Sequence, residues 1–247
     1  LLGVIVALVL GFIYSLTGSD PTGGVSETQQ APTVIVENIP ATPVSTNEVP
    51  NDIWWEVYFT DPVNTNNPSQ WQGSVEEQLI KKINFAQTSI HIASFEFDLT
   101  PVAEALIAAK QRGVDVRWVT DDEHGLEADE EPGHGQFSML RAAGIEVRSD
   151  SRSALMHNKF WIFDGKIVWT GSTNITKSGI FKQDNNTLVI NSAELAAVYE
   201  AEFQEMWNGE FGPKSTSQLS TQTVHINGTQ AWVIFTPENG ALELAII

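Results

Sequence analysis

Cysteine is absent from this 247-residue chain, which excludes both disulfide staples and thiol catalysis. Its absence also fits an extracytoplasmic bacterial protein. Basic side chains are few: 13 Lys and Arg stand against 31 Asp and Glu, a formal net charge of −18. Non-specific nucleic-acid binding draws its affinity from phosphate neutralisation, so a field this negative disfavours a long polyanion as partner. Residues 1–16 (LLGVIVALVLGFIYSL) hold no charged side chain. They predict a membrane signal anchor over 1–17, truncated at its start and a little short of the roughly 20 residues that span a bilayer core. From 18 to 52 the chain is rich in Pro, Thr, Ser, Val and Asn, with acidic residues and neither Lys nor Arg. Such a stretch buries too little apolar surface to offset chain entropy, and it reads as a disordered acidic linker that holds the rest of the chain off the membrane.

Beyond the linker, apolar side chains make up 42% of the whole sequence, enough for one good-sized core. Residues 53–60 (IWWEVYFT) read as a strand, and 61–72 as a polar loop. Val75, Leu79, Ile80 and Ile83 mark a helix over 74–86. A strand over 89–97 follows, then a helix over 100–112 with Thr100 as its cap and Pro101 at its first position, and a strand over 114–120. A helix over 136–143, strands over 145–148 and 187–190, and a helix over 193–207 complete the series. Alternating strands and helices predict an α/β fold, a mixed sheet sandwiched by helices. Sites in such sheets lie beyond the carboxyl ends of strands, which puts Glu96 and Asp121 near a pocket rim. The segment 121–134 mixes seven carboxylates with two histidines. Its spacing fits neither a calcium loop nor a zinc pair, so it reads as a solvated acidic loop bordering the site entrance and disfavouring polyanions.

The chain is organised around residues 157–174. Successive strand side chains point to opposite faces, so His157, Lys159, Trp161 and Phe163 fall on one side. Asp164-Gly165 signals a two-residue hairpin turn, which would set Phe163 opposite Lys166, Lys159 opposite Thr170 and His157 opposite Ser172, with Asn174 beyond on the same face. An imidazole, an ammonium, a hydroxyl and an amide then converge at one end of the hairpin.

The pattern His-x-Lys-x4-Asp-x6-Gly-Ser-x-Asn closely resembles the signature of the phospholipase D superfamily, the HKD motif, with all six identities in place at His157, Lys159, Asp164, Gly171, Ser172 and Asn174. The resemblance covers roughly residues 53–210 and implies a phosphodiesterase that works without a metal or other cofactor. His157 would attack phosphorus to give a phosphohistidine, and Lys159, Ser172 and Asn174 would hold the phosphate oxygens. Asp164 completes the motif's catalytic set. The spacing nevertheless puts it at the turn, roughly 20 Å from His157 at ~3.3 Å per residue, where it would order the hairpin. Members of the family commonly place an acid about where Asn185 stands, to hold the histidine ring; Asp184 is the available substitute.

Two copies of the motif make one site in this family. The second half-domain is therefore expected in cis beyond residue 247, as in a two-motif bacterial member, or in trans from a second chain. An echo of Val57-Tyr-Phe-Thr in Val233-Ile-Phe-Thr suggests a half-domain over 53–222 followed by the start of a second repeat over 223–247. The implied substrate is a phospholipid head-group phosphodiester. A nuclease and a phosphatidyl-transferring synthase are the alternatives within the family, and a binding module with a decayed site the alternative outside it.

Overall fold

In the computed structural model, seven strands make one mixed sheet, and the chain is described over residues 53–62, 72–212 and 222–236. The expected anchor and linker lie outside the described residues. Among the described residues no helix is long and apolar enough to cross a membrane.

The elements run β1 (Trp55–Phe59), α1 (Val75–Phe85), β2 (Ser89–Ser94), α2 (Thr100–Gln111), β3 (Asp115–Thr120), α3 (Gln136–Ala142), β4 (Glu146–Ser149), β5 (Lys159–Phe163), β6 (Ile167–Gly171), α4 (Lys177–Phe181), β7 (Asn186–Asn191), α5 (Ala193–Trp207), β8 (Gln222–Ile226) and β9 (Thr229–Val233). Strand order is β1-β7-β6-β5-β2-β3-β4, with β8 and β9 as a separate pair. The β2–β3 and β3–β4 pairs, joined through helices, are parallel; the other pairs in the large sheet are antiparallel.

Alternation along β5 builds both layers of the sandwich. Trp161 and Phe163 enter a core shared with Leu79 of α1, Leu106 of α2 and Phe137 of α3, whereas Phe160 and Ile162 face Phe203 and Met206 of α5. The first layer is keyed by aromatics: the Trp118 ring lies 4.6 Å from Phe97, 5.2 Å from Phe137 and 5.1 Å from Trp161, centroid to centroid. The last two are edge-to-face, and contacts of that kind add about 1 kcal/mol each beyond area burial. Val224, Ile226 and Val233 of the β8–β9 hairpin join the second layer, and Phe235 packs on Tyr199 at 5.3 Å. This is the stretch where the sequence echo places a second repeat.

Three local expectations change. Helix α2 is capped at Leu99 rather than Thr100; Thr100 lies in the first turn beside Pro101, and its hydroxyl accepts from Gln136 Nε2 at 3.2 Å. Proline there fixes φ for the helix, so no side-chain cap is needed. In the β5–β6 hairpin the register is one residue off the expected one: Phe163 pairs with Ile167 and Phe160, not Lys159, pairs with Thr170. Asp164 and Gly165 do form a turn with φ of 53° and 60°, closed by Lys166 N–H donating to Phe163 O at 3.0 Å. Lys166 is then an extra residue, because its carbonyl turns away to accept from Ser192 N–H at 2.8 Å.

The acidic segment is likewise not a solvated loop. It folds as a π-helical turn (Asp122–Glu127) and a 3-10 turn (Ala128–Glu130), with Asp121 and Asp129 buried. Asp129 accepts from Phe137 N–H at 2.8 Å and Ser138 N–H at 2.8 Å, and so caps α3.

Strand β1 lies at the sheet edge and carries an apolar stripe: Ile53, Trp55, Val57 and Phe59 are 67%, 47%, 40% and 72% exposed.

Candidate active site

The site forms where β2 runs out and β5 begins. Past Ser94 the chain continues as Phe95-Glu96-Phe97-Asp98, and Phe97 makes a parallel bridge to Ile175 while Asp98 N–H donates to Ile175 O at 3.3 Å. This brings the Gly-Ser-x-Asn end of the motif beside the end of β2. Ser94 pairs with Lys159 across the β2–β5 ladder, which sets Lys159 beside the same segment.

Phe95 is the buried floor on which the groups meet. His157, just upstream of β5 and exposed, packs its ring edge-on to Phe95 at 4.7 Å, and Lys159 Nζ sits 5.2 Å from the Phe95 ring centroid while donating to His157 O at 3.1 Å. Asn174 Nδ2 donates to Glu96 Oε2 at 3.3 Å, and the amide oxygen of Asn174 is buried without a partner.

The electrostatics suit an anion. Burial drives the Lys159 ammonium down to about 8, with Glu96 opposing the shift. The same wall of protein desolvates His157 and, with help from the Lys159 charge, lowers its pKa below the ordinary imidazole value. Its neutral form therefore prevails at neutral pH. Burial raises Glu96, against the pull of Lys159.

The motif glycine has a steric cause. Gly171 adopts a φ of 151°, and a β-carbon there would lie 2.2 Å from Asn186 O, so only glycine lets β6 end against β7. Gly179 answers a similar close approach in α4, where a β-carbon would meet Asn174 O at 2.4 Å.

Other motif residues go elsewhere. Asp164 stands at the turn, and its carboxylate accepts from the N–H groups of Gln87 (3.0 Å), Thr88 (2.7 Å) and Ser89 (3.1 Å) and from the Thr88 hydroxyl (2.9 Å). These bonds hold its pKa below the usual aspartate value despite partial burial. Ser172 gives its one hydroxyl proton to Asn185 Oδ1 at 2.9 Å and accepts from Asn186 N–H at 3.1 Å, so it secures the turn rather than presenting a proton to phosphate. Asn185 is accordingly engaged by Ser172 and by Gly179 O (2.8 Å), not by the His157 ring, and Asp184 is exposed in the loop before β7. An amide fills that position because it can accept from Ser172 and donate to Gly179 at once, which a carboxylate cannot do.

Sequence reasoning passed over His124. Its ring centroid lies 5.0 Å from that of Phe95, with Nδ1 donating to Asp121 Oδ1 at 3.1 Å. Asp121, expected at the rim, is buried as a structural acceptor. Carboxylate oxygens of Asp121, Asp122 and Asp150 come within 4.8 Å of one another, a spacing that could hold a cation. Those of Asp121 and Asp150 are already used, by Met156 N–H (2.9 Å), His124, Asp122 N–H (3.2 Å) and Arg152 (3.1 Å).

Residues 79–207 match the family model described as "Cardiolipin synthase, PLD-like domain". The chain belongs to the phospholipase D-like family. The mitochondrial cardiolipin hydrolase of Xenopus laevis is 34% identical over 140 residues, 57% of this chain and 64% of that protein; that of Mus musculus is 34% identical over 141 residues, 57% and 61% respectively. The chain therefore spans somewhat under two thirds of the length of these relatives. Among solved structures, the phospholipase D family member Nuc from Salmonella typhimurium superposes with a TM-score of 0.52 at 30% identity, covering 63% of this chain and 94% of that one. NucT from Helicobacter pylori, at 20% identity and a TM-score of 0.50, covers 63% and 97% and shares the fold.

Proposed function

We propose that this phospholipase D-like domain is a phosphodiesterase acting on phospholipids through a phosphohistidine at His157. The observation that carries the reading is the convergence of a neutral imidazole, a desolvated ammonium and an amide around Phe95 and Glu96. An anionic diester entering there gains the Lys159 charge in a low-dielectric setting and an N–H donor from Asn174, both aimed at non-bridging oxygens whose charge grows as phosphorus is attacked. A second copy of the half-domain closes over the substrate in this reading.

A lipid is favoured over a nucleic acid by two features. The net charge of −18 opposes a polyanion, and the exposed stripe of Ile53, Trp55, Val57 and Phe59 offers aromatic and aliphatic contacts suited to a bilayer interface. Attachment through residues 1–17, with the domain on the extracytoplasmic side, belongs to the same reading. The mitochondrial cardiolipin hydrolase relatives, by name, point to lipid as well. The likeness to Nuc supports the nuclease reading as the second choice, and a phosphatidyl-transferring reaction differs only in the acceptor.

The test uses the full chain with vesicles containing cardiolipin or phosphatidylcholine, and a plasmid in parallel. Head-group release that EDTA leaves intact, together with a covalent phospho-label lost in His157→Ala, is the expected result. Label surviving in His157→Ala would show another nucleophile, and plasmid nicking without lipid cleavage would transfer the site to nucleic acid.

A further inference from the structure

A carboxylate stands among the groups that would seat an anion. Glu96 lies just past β2, half-buried, between the buried side chains of Phe95 and Phe97. Lys159 of β5 and His124 and His134 of the segment after β3 draw on its charge, and Asp98 of its own segment opposes them. By charge alone a carboxylate here would repel a phosphate, and its removal would tighten the site.

What Glu96 holds explains its place. Three consecutive residues of this segment engage the Gly-Ser-x-Asn end of the motif: Glu96 Oε2 accepts from Asn174 Nδ2 at 3.3 Å, Phe97 bridges Ile175, and Asp98 Oδ1 accepts from Lys177 N–H at 2.7 Å. Only the first of these contacts reaches a side chain of the motif. An amide donates at its nitrogen and accepts at its oxygen, and turning the group over exchanges the two. The Asn174 oxygen is buried without a partner among the described residues, so no bond on that side fixes the orientation. A carboxylate only accepts, and Glu96 therefore admits the nitrogen alone. One N–H of Asn174 is taken by Glu96, and the other is left to meet a ligand.

We propose that Glu96 is a positioning residue that keeps the donor side of Asn174 available to phosphate, an effect that outweighs the repulsion its charge brings to the pocket. This rests on the phosphodiesterase reading. It leaves the second half-domain its part in the reaction, because Glu96 acts on Asn174 of its own chain and transfers no proton.

The experiment measures kcat/KM on a short-chain soluble phosphodiester for the wild type, Glu96→Ala, Glu96→Gln, Asn174→Ala and the double variant of the two alanine changes. Glu96→Ala should lose roughly 10- to 100-fold, and Glu96→Gln, whose side-chain oxygen still accepts, should stay within about 5-fold of the wild type. With Asn174 already replaced by alanine, the same Glu96→Ala change should alter the rate less than about 2-fold, since nothing remains to be positioned. Equal losses in the two backgrounds overturn the assignment. So does a rate above that of the wild type in either Glu96 variant, or a glutamine variant as slow as the alanine one. Urea midpoints show which variants keep the fold. Phosphate binding is read apart from activity: inorganic phosphate should displace the nuclear magnetic resonance signals of the Asn174 side-chain amide in the wild type and leave them in place in Glu96→Ala. No displacement in the wild type, or the same displacement in both, also overturns it. A folded wild type whose Asn174 responds to phosphate but which cleaves no diester is a different result: it removes the phosphodiesterase reading and leaves the placement of Asn174 by Glu96 standing.

Discussion

Lys159→Met removes a charge that the fold holds at a penalty, and it should therefore stabilise the protein while disabling it. The ammonium falls from 10.5 to about 8 on folding; at about pH 7 it is charged in both states, so the folded state carries it at a cost of roughly 3 kcal/mol. Between about pH 8 and 10.5 the unfolded chain holds more protons than the folded one, so this contribution to stability improves as pH rises through that window. Roughly 2 kcal/mol of the penalty disappears between about pH 7 and about pH 9.5. Glu96 shifts the absolute value, since burial already raises its carboxyl and the variant loses the ammonium that opposes that rise. The measurement is urea unfolding of wild type and variant at the two pH values, followed by the fluorescence of the 8 tryptophans. The variant's advantage should shrink by about 2 kcal/mol on going to the higher pH, while its diester cleavage falls at least ~10²-fold at both. An advantage independent of pH would show that Lys159 is not desolvated, and the electrostatic account of the site would go with it.

Asp164→Ala should destabilise by about 2–3 kcal/mol, because three N–H groups lose their acceptor and alanine is forced to a φ of 53°, while the specific activity of the folded fraction is unchanged. The Asp164 pKa is lowered on folding, so its contribution is complete at neutral pH and is lost as pH falls through that depressed value; acid-unfolding curves of wild type and variant should converge there. In kcat/KM of the wild type, the acid limb should lie below the ordinary imidazole range, from His157, and the alkaline limb near 8, from Lys159. A limb displaced above ~10 would contradict the burial of Lys159. Trp55→Ser with Phe59→Ser should weaken vesicle co-sedimentation roughly 10- to 100-fold, from ~25 cal/mol per Å² of apolar area removed, and leave cleavage of a short-chain soluble diester unchanged.

What the sequence made legible was local. The alternation along β5 and the positive-φ turn at Asp164-Gly165 are both set by residues a few places apart, and the structure keeps them. The register was lost because its cause is distant: Ser192 captures the carbonyl of Lys166 and turns a two-residue loop into one with an extra residue. Helix α4, five residues long, has too few turns to show a period. Asn185 was read by its place after the motif as a partner for the histidine ring. Its actual partners are Ser172 at the amide oxygen and Gly179 and Gln183 at the amide nitrogen. His124 stood among seven carboxylates and looked like a member of a solvated run, because the contact that gives it meaning, through Phe95, joins segments nearly thirty residues apart.

The two ends of the β5–β6 hairpin are built on opposite electrostatic principles, and that difference explains how a strained site persists. At the turn, the Asp164 carboxylate is surrounded by backbone donors and is more stable charged in the fold than out of it. At the other end, Lys159 and His157 are both less stable charged in the fold than out of it. Between them Phe160, Trp161, Ile162 and Phe163 are all buried, so the strand is anchored independently of either end. Burial of those four side chains, at about 2 kcal/mol each, exceeds the penalty carried by Lys159. An anion that enters beside Lys159 returns the ammonium to a favourable setting, and the energy withheld on folding becomes binding energy directed at the phosphate.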